Sequence, residues 1–376
     1  GDGAVFTAAP RTAGMATREA TWEYRDRFTD DFARTYFRML GNVVVPSIGV
    51  GTYLGDPTDE VDADYHDAIV EALESGVNVV DTAINYRCQR SERVVGDAIA
   101  DADVDRDAVF VASKGGFAPF DGERPANPGR YIHDEYVDSG PVDAEDFVSG
   151  QHCIEPAFID DQLDRSLSNL GVDALDLYYV HNPETQLQTS SREEVYDTLE
   201  ATFTRLEERA AAGDIERYGL ATWDALRVRA DHGQYLSLPE IVDRARAAAD
   251  AAGTAGTHFR AVQLPFNVYM ADAFTVESHE TPDGEKSALW FANDAGIAVF
   301  TSASIMQGRL ASELPEEVAA KLDGETDAQR AINFARSGPG VTSSLVGTGS
   351  PEHVAENVDA GRHEPLGAQA FDTVFE

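Results

Sequence analysis

The chain has 376 residues, 43% of them hydrophobic, enough for one large domain to bury a sizeable core. It carries 29 Lys and Arg against 67 Asp and Glu, a formal net charge of −38. That sign of charge excludes a general nucleic-acid binder, and no apolar run approaches the roughly 18 residues that a membrane span requires.

The acids are spread along the whole length. Repulsion on this scale disfavours a compact state in dilute buffer, and it is relieved at molar salt, where the screening length falls to about 3 Å. The composition therefore predicts a halophilic protein of a salt-filled cytoplasm. An acidic surface for a basic partner is the competing reading. The N-terminus lacks the basic and apolar stretches of a secretory signal. Met15 reads as a translation start, and residues 1–34 as an N-terminal extension. Two cysteines, Cys88 and Cys153, make neither a disulfide framework nor a zinc pattern.

From about residue 44, short apolar runs alternate with helical patterns. Val44–Val50 is the first expected strand. A helix follows with Val61, Tyr65, Ala68, Ile69, Ala72 and Leu73 on one face, ended by Gly76. Val77–Val80 is the second strand, Arg93–Ala100 the second helix and Val109–Ser113 the third strand. Ile159, Leu163, Leu167 and Leu170 mark the third helix. Leu175–Val180, Ile215–Leu220, Phe259–Leu264, Ile297–Thr301 and Val341–Val346 are the remaining strands, with helices between them. Ser350-Pro351 opens the last helix, with Ser350 expected as its cap.

Eight such units in series predict a (β/α)8 TIM barrel over residues 35–376, with an N-terminal extension and long βα loops. A doubly wound open sheet is the alternative. The run Gly49-Val-Gly51-Thr-Tyr-Leu-Gly55 departs from the dinucleotide fingerprint that such a sheet would carry. Two interruptions stand out. Residues 115–156 follow the third strand, with Phe117, Phe120, Tyr131, Tyr136 and Phe147 interleaved among acids, glycines and prolines. Residues 267–284 follow the sixth. Loops of this length are expected to be functional, and the first is expected to act as a lid that shapes substrate choice.

Barrel enzymes carry their chemistry at the C-terminal ends of strands. Those ends offer Asp81, Lys114 and His181, with Tyr86 in the loop after Asp81. A carbonyl that accepts hydride becomes an alkoxide and needs a proton. A tyrosine can supply it when a neighbouring ammonium lowers its pKa from about 10. A buried ammonium in turn needs a carboxylate. Asp81 would hold Lys114, Lys114 would tune Tyr86, Tyr86 would donate the proton, and His181 would orient the carbonyl.

The residues that carry this chemistry also carry a resemblance. Asp81-Thr-Ala-Ile-Asn-Tyr86 with Ser91-Glu92-Arg-Val-Val-Gly96, Ser113-Lys114 and Tyr178-Tyr-Val-His181 are similar to the signature of the aldo-keto reductases. Tyr36-Phe-Arg-Met-Leu-Gly41 resembles that family's hairpin across the barrel floor. Gly49-Val-Gly51-Thr-Tyr53, Val262-Gln263 and Val346-Gly-Thr-Gly-Ser-Pro-Glu-His-Val-Ala-Glu-Asn357 extend the likeness. The resemblance implies that Asp81, Tyr86, Lys114 and His181 form a catalytic tetrad.

It also implies a nicotinamide cofactor, with NADP(H) favoured over NAD(H). Gly51, Thr52 and Tyr53 would lie beside it, and Gln263 would hold the nicotinamide amide. Ala221-Thr222 stands where the family has Ser-Asn. Ser302 stands where an aromatic ring stacks on the nicotinamide. Gly347, Gly349 and His353 stand where basic residues clasp the 2′-phosphate. Thr348 and Ser350 remain as hydroxyl donors beside a helix N-terminus that favours phosphate. Glu356 and Asn357 would contact the adenine. Two extra residues fall within Arg87-Cys88-Gln89-Arg90. The expected activity is interconversion of a carbonyl (aldehyde, ketone or sugar) and an alcohol, without metal. The alternatives are a cofactor-binding regulatory subunit with little turnover, or a lyase using Lys114 as a Schiff base.

Overall fold

Strand after strand in this chain is apolar on both faces, which suits a sheet covered on both sides. The computed structural model describes residues 14–305, 314–347 and 349–376. Helix α1 (Arg18–Phe28) precedes an antiparallel hairpin of β1 (Phe37–Leu40) and β2 (Val43–Pro46), turned at Gly41 with φ +59°. Then come β3 (Ile48–Gly51), α2 (Asp59–Glu74), β4 (Val79–Asp81), α3 (Arg90–Asp101) and β5 (Phe110–Gly115). A long excursion holding α4 (Pro128–Ile132) leads to α5 (Pro156–Leu170), β6 (Leu175–His181), α6 (Arg192–Ala211), β7 (Ile215–Ala221), α7 (Leu238–Ala252) and β8 (Phe259–Pro265). Short helix α8 (Asp272–Thr275), the hairpin β9 (Glu277–Thr281) and β10 (Gly284–Ser287), α9 (Ala288–Asp294) and β11 (Ala298–Ser302) follow. The described chain continues with α10 (Glu316–Ala319), α11 (Asp327–Arg336), β12 (Val341–Gly347), α12 (Pro351–Ala360) and α13 (Ala368–Asp372).

Eight strands close into a parallel barrel in the order β3-β4-β5-β6-β7-β8-β11-β12, and β12 returns to β3 from Ser344↔Ile48 to Gly347↔Gly51. This is the expected (β/α)8 architecture. Period-two alternation divides the core. Val79, Phe110, Ala112, Leu177, Tyr179, Ala261, Phe300 and Leu345 fill the barrel interior. Val80, Val111, Tyr178, Val180, Leu220 and Val262 point the other way, toward the helices.

The apolar run expected as one strand over 44–50 divides at Ser47 into a hairpin arm and a barrel strand. Ser47 is buried and takes part in both: its amide donates to Tyr36 O, and its carbonyl accepts from Ser344 N at 2.9 Å. The hairpin adds Leu40, Val43 and Val45 to the interior cluster, so it plugs the barrel floor. Residues 14–34 pack onto the barrel. Thr17 caps α1, Tyr24 is buried, and its hydroxyl donates to Leu73 O at 2.7 Å.

The excursion after β5 has a closed neck and a core of its own. Cys153 N donates to Gly116 O at 2.9 Å and Ala118 N to Gln151 O at 2.8 Å. Tyr136 and Phe147 pack on Phe158 of α5, with ring centroids 5.8 and 5.5 Å away. Two of the excursion's five aromatics therefore cover a helix, while Phe120 and Tyr131 pack on each other with centroids 5.9 Å apart. The 267–284 segment is largely the β9–β10 hairpin and α8. Ser350, expected to cap α12, makes no side-chain capping bond.

Candidate active site

The barrel puts one strand end beside the next. Gly51, Asp81, His181, Ser302 and Gly347 are the last residues of β3, β4, β6, β11 and β12. Lys114 and Gln263 sit near the ends of β5 and β8, and Thr222 follows β7 directly.

Three of the four expected catalytic side chains are linked in one hydrogen-bonded chain. Lys114 Nζ donates to Asp81 Oδ1 at 2.5 Å, to Thr82 O at 3.0 Å and to Tyr86 Oη at 3.2 Å. Lys114 is fully buried. Burial alone would lower its pKa, but Asp81 and Tyr86 outweigh that and hold it above the usual lysine range, so it is an ammonium. Burial pushes the Asp81 carboxyl up, opposed by Lys114 and by Gln263, whose Nε2 donates to Asp81 Oδ2 at 2.8 Å. Burial likewise raises the Tyr86 phenol, with Lys114 pulling against it. The ammonium thus only partly offsets desolvation, where sequence reasoning expected a net lowering.

His181 completes the group without a hydrogen bond to it. Its ring lies 6.1 Å from that of Tyr86 and 5.1 Å from that of Phe117. Burial, then Lys114 and His152, push its pKa well below the usual range, so the imidazole is neutral. Its Nδ1 is buried with no hydrogen-bond partner.

The loop that carries Tyr86 bends sharply after it. Arg87, Cys88 and Gln89 have φ of 51°, 56° and 71°, three successive left-handed residues where the two extra residues were noted. Such backbone costs about 1–2 kcal/mol per residue and needs outside support. Arg87 supplies it through Asp62, Asp56 O and Thr58 O, and Gln89 through Phe120 O at 2.9 Å.

The other expected residues distribute as follows. Thr52 is buried, and its hydroxyl donates to Asp81 O at 3.0 Å. Tyr53 is 58% exposed, with its ring edge on Tyr86 at 5.2 Å. Thr222 N donates to Gln263 O at 2.9 Å, and Ser302 O accepts from Phe266 N at 3.1 Å. Glu356 Oε1 accepts from Thr326 Oγ1 at 2.6 Å, so that carboxylate oxygen is already engaged within the protein. Asn357 is buried and His353 exposed. Thr348 lies outside the described residues.

These residues fit a phosphate-bearing dinucleotide. A Cβ built at Gly349 would meet nothing within 4 Å, and one at Gly347 only Leu54 at 3.7 Å, which leaves room for close approach. Ser350, the N-cap residue of the ten-residue helix α12, makes no side-chain cap bond, so its hydroxyl does not occupy the helix start, where a phosphate is favoured.

Sequence reasoning missed His152 and Gln186, which stand behind His181. Neither lies at a strand end or in a recognisable motif. A cleft of about 440 Å³ between α2 and α3, lined by Asp62, His66, Arg90 and Arg93, lies away from this group. Its bases are paired, Arg90 with Asp59 and Asp62 and His66 with Asp101, so it reads as an ion-paired flank.

A family model described as the aldo/keto reductase family matches residues 47–376. The chain belongs to the aldo/keto reductase family. It is 26% identical over 205 residues to the NADH-specific methylglyoxal reductase of Escherichia coli. That match spans 53% of this chain and about half (54%) of that relative. It is 24% identical over 344 residues to a putative voltage-gated potassium channel subunit beta of Schizosaccharomyces pombe, across 86% of this chain and 87% of that one. In fold it is similar to an aldo/keto reductase from Klebsiella pneumoniae solved in complex with NADP and acetate. The TM-score is 0.59 at 19% identity, over 91% of this chain and 94% of that one. No helix among the described residues is long and apolar enough to cross a membrane.

Proposed function

We propose that this aldo/keto reductase family member is a nicotinamide-dependent oxidoreductase that interconverts a small carbonyl compound and its alcohol. The observation that carries the reading is the buried chain Asp81–Lys114–Tyr86 at the barrel mouth, with neutral His181 beside the phenol. When bound, the cofactor supplies or accepts the hydride. Asp81 keeps Lys114 charged. Lys114 holds Tyr86 Oη and favours proton release from it. Tyr86 delivers the proton to the carbonyl oxygen, and His181, as a neutral donor, orients that oxygen.

Gln263, Thr222, Ser302, Gly51, the end of β12 and the first turn of α12 are the residues that would hold the cofactor. NADP(H) is the form that the resemblance favours. The first turn of α12 carries Glu352 and no Lys or Arg, so discrimination against NAD(H) should be weak. The substrate is a small molecule, and the acidic surface suits a salt-filled cytoplasm rather than nucleic acid. A Schiff-base lyase needs a free lysine amine; Lys114 is a buried ammonium held at 2.5 Å by a carboxylate, which argues against it.

The test is a panel of carbonyls and alcohols assayed with both cofactors at molar KCl. Oxidation or reduction of the nicotinamide at 340 nm that depends on substrate supports the reading. The likeness to a channel beta subunit favours a second one, a regulatory subunit. Tight cofactor binding with no turnover across the panel would select it.

A further inference from the structure

We propose that His152 is a positioning residue for His181: the neck of the excursion after β5 grips the carbonyl end of β6 and sets where the imidazole stands. The inference rests on the reading of His181 as the group that orients the carbonyl.

His152 lies 29 residues from His181 in sequence, yet its Nε2 is 2.8 Å from His181 O. Its other nitrogen, Nδ1, is 2.8 Å from Gln186 Nε2, and the same amide nitrogen reaches His152 O at 3.1 Å. An amide nitrogen only donates, so Nδ1 accepts. The proton of neutral His152 is therefore on Nε2, where it is donated to the His181 carbonyl. Burial holds the pKa of His152 down at about 4, so this arrangement persists at working pH.

The grip is needed because β6 leaves its ladder at this point. Asn182 turns left-handed, with φ +47°, and its amide returns to Ala221 O at 2.7 Å. His152 supplies the donor for the carbonyl just before that turn. The opening of the excursion is built to pass close by. Gly116 has φ +151°, and a Cβ there would lie 2.9 Å from His181 O, 3.2 Å from His181 Cβ and 3.4 Å from His152 Nε2. No side chain fits between the neck and the histidine. Phe117 then sets its ring edge against both, 5.1 Å from His181 and 4.7 Å from His152. His181 Nδ1 has no partner of its own, so the ring is held by packing and by its backbone. His152 fixes that backbone without adding charge beside the Lys114 ammonium.

The experiment is a double-mutant cycle at molar KCl, with cofactor affinity and thermal midpoint measured on every variant. His152→Ala should lower kcat about 10- to 100-fold, the scale of a misplaced catalytic group, with cofactor affinity unchanged. His152→Gln, which keeps an N–H donor, should recover most of the loss. Gln186→Leu, which frees the tautomer, should fall between. In a His181→Ala background, His152→Ala should change kcat by no more than about twofold, because the two act as one unit. Additive losses in both backgrounds, or unchanged kcat in a folded His152→Ala, overturn the proposal. A chain that binds cofactor yet turns over no carbonyl refutes the functional reading instead. The positioning is then read from the imidazole nitrogen resonances of His181. Those resonances should move in His152→Ala and Gln186→Leu and return toward the parent's in His152→Gln, and unmoved resonances in His152→Ala overturn it.

Discussion

Gln263 Nε2 donates at 2.8 Å to Asp81 Oδ2, the carboxylate oxygen that Lys114 leaves open, so the buried carboxylate is held at both oxygens. The two residues are 182 positions apart and meet only because the barrel closes. The residue that the resemblance assigns to the nicotinamide amide thus also anchors the Asp81–Lys114 pair. Gln263→Leu leaves a buried carboxylate oxygen unpaired, which costs about 1–3 kcal/mol. Denaturant unfolding at fixed salt should register that loss, together with weaker cofactor binding. Parental stability in the variant would mean that the bond contributes nothing.

Tyr86→Phe keeps the ring and removes the proton. The expected loss in kcat is at least about 100-fold, with cofactor affinity intact. Near-normal turnover would remove Tyr86 from the role of acid.

The pH profile follows from the same residue. Reduction needs the phenol protonated, so its rate falls as pH rises through the phenol pKa. Burial sets that pKa above the ordinary tyrosine range despite Lys114, so the decline lies on the alkaline side of that range. Alcohol oxidation needs the phenolate and should rise over the same range. His181 is held neutral, so no limb is expected near pH 6.5. A decline in reduction centred near neutrality contradicts this assignment.

Salt should govern stability. Arginines are shared among several acids: Arg209 reaches Asp160, Asp164 and Asp214, and Arg244 reaches Glu193, Asp197 and Glu240. With 29 bases and 67 acids, many carboxylates remain without a cation. Raising KCl from low to molar concentration should lift the thermal midpoint by roughly 10 °C, several kcal/mol in a chain of this size. A flat midpoint would contradict salt dependence.

Phe117 is the one aromatic of the excursion whose ring meets His181. Phe117→Ala should alter the ranking of bulky against small carbonyl substrates through KM, with cofactor affinity unchanged. An unchanged ranking would make the excursion a cover for α5 and nothing more.

Much of this was legible in the sequence because barrel topology converts position along a strand into position at a site. Asp81, Lys114 and His181 each end an apolar run, and Tyr86 follows Asp81 within one short loop. What was not legible depends on chain crossings. His152 looks like any loop histidine until the excursion folds back on β6. The break at Ser47 was hidden because both sides of it are apolar, one for the hairpin and one for the barrel. The uncapped start of α12 escaped because Ser350-Pro351 has the composition of a cap without making the bond.

The burial of Lys114 has a consequence for protein chemistry. The chain has three lysines, and in the folded protein Lys321 is exposed and Lys286 half-buried, while Lys114 is fully buried. An amine-reactive reagent would therefore modify two lysines at once and the third only when the barrel mouth opens. The labelling rate at Lys114, followed by peptide mass, reports how often the innermost part of the molecule breathes, with no substrate required.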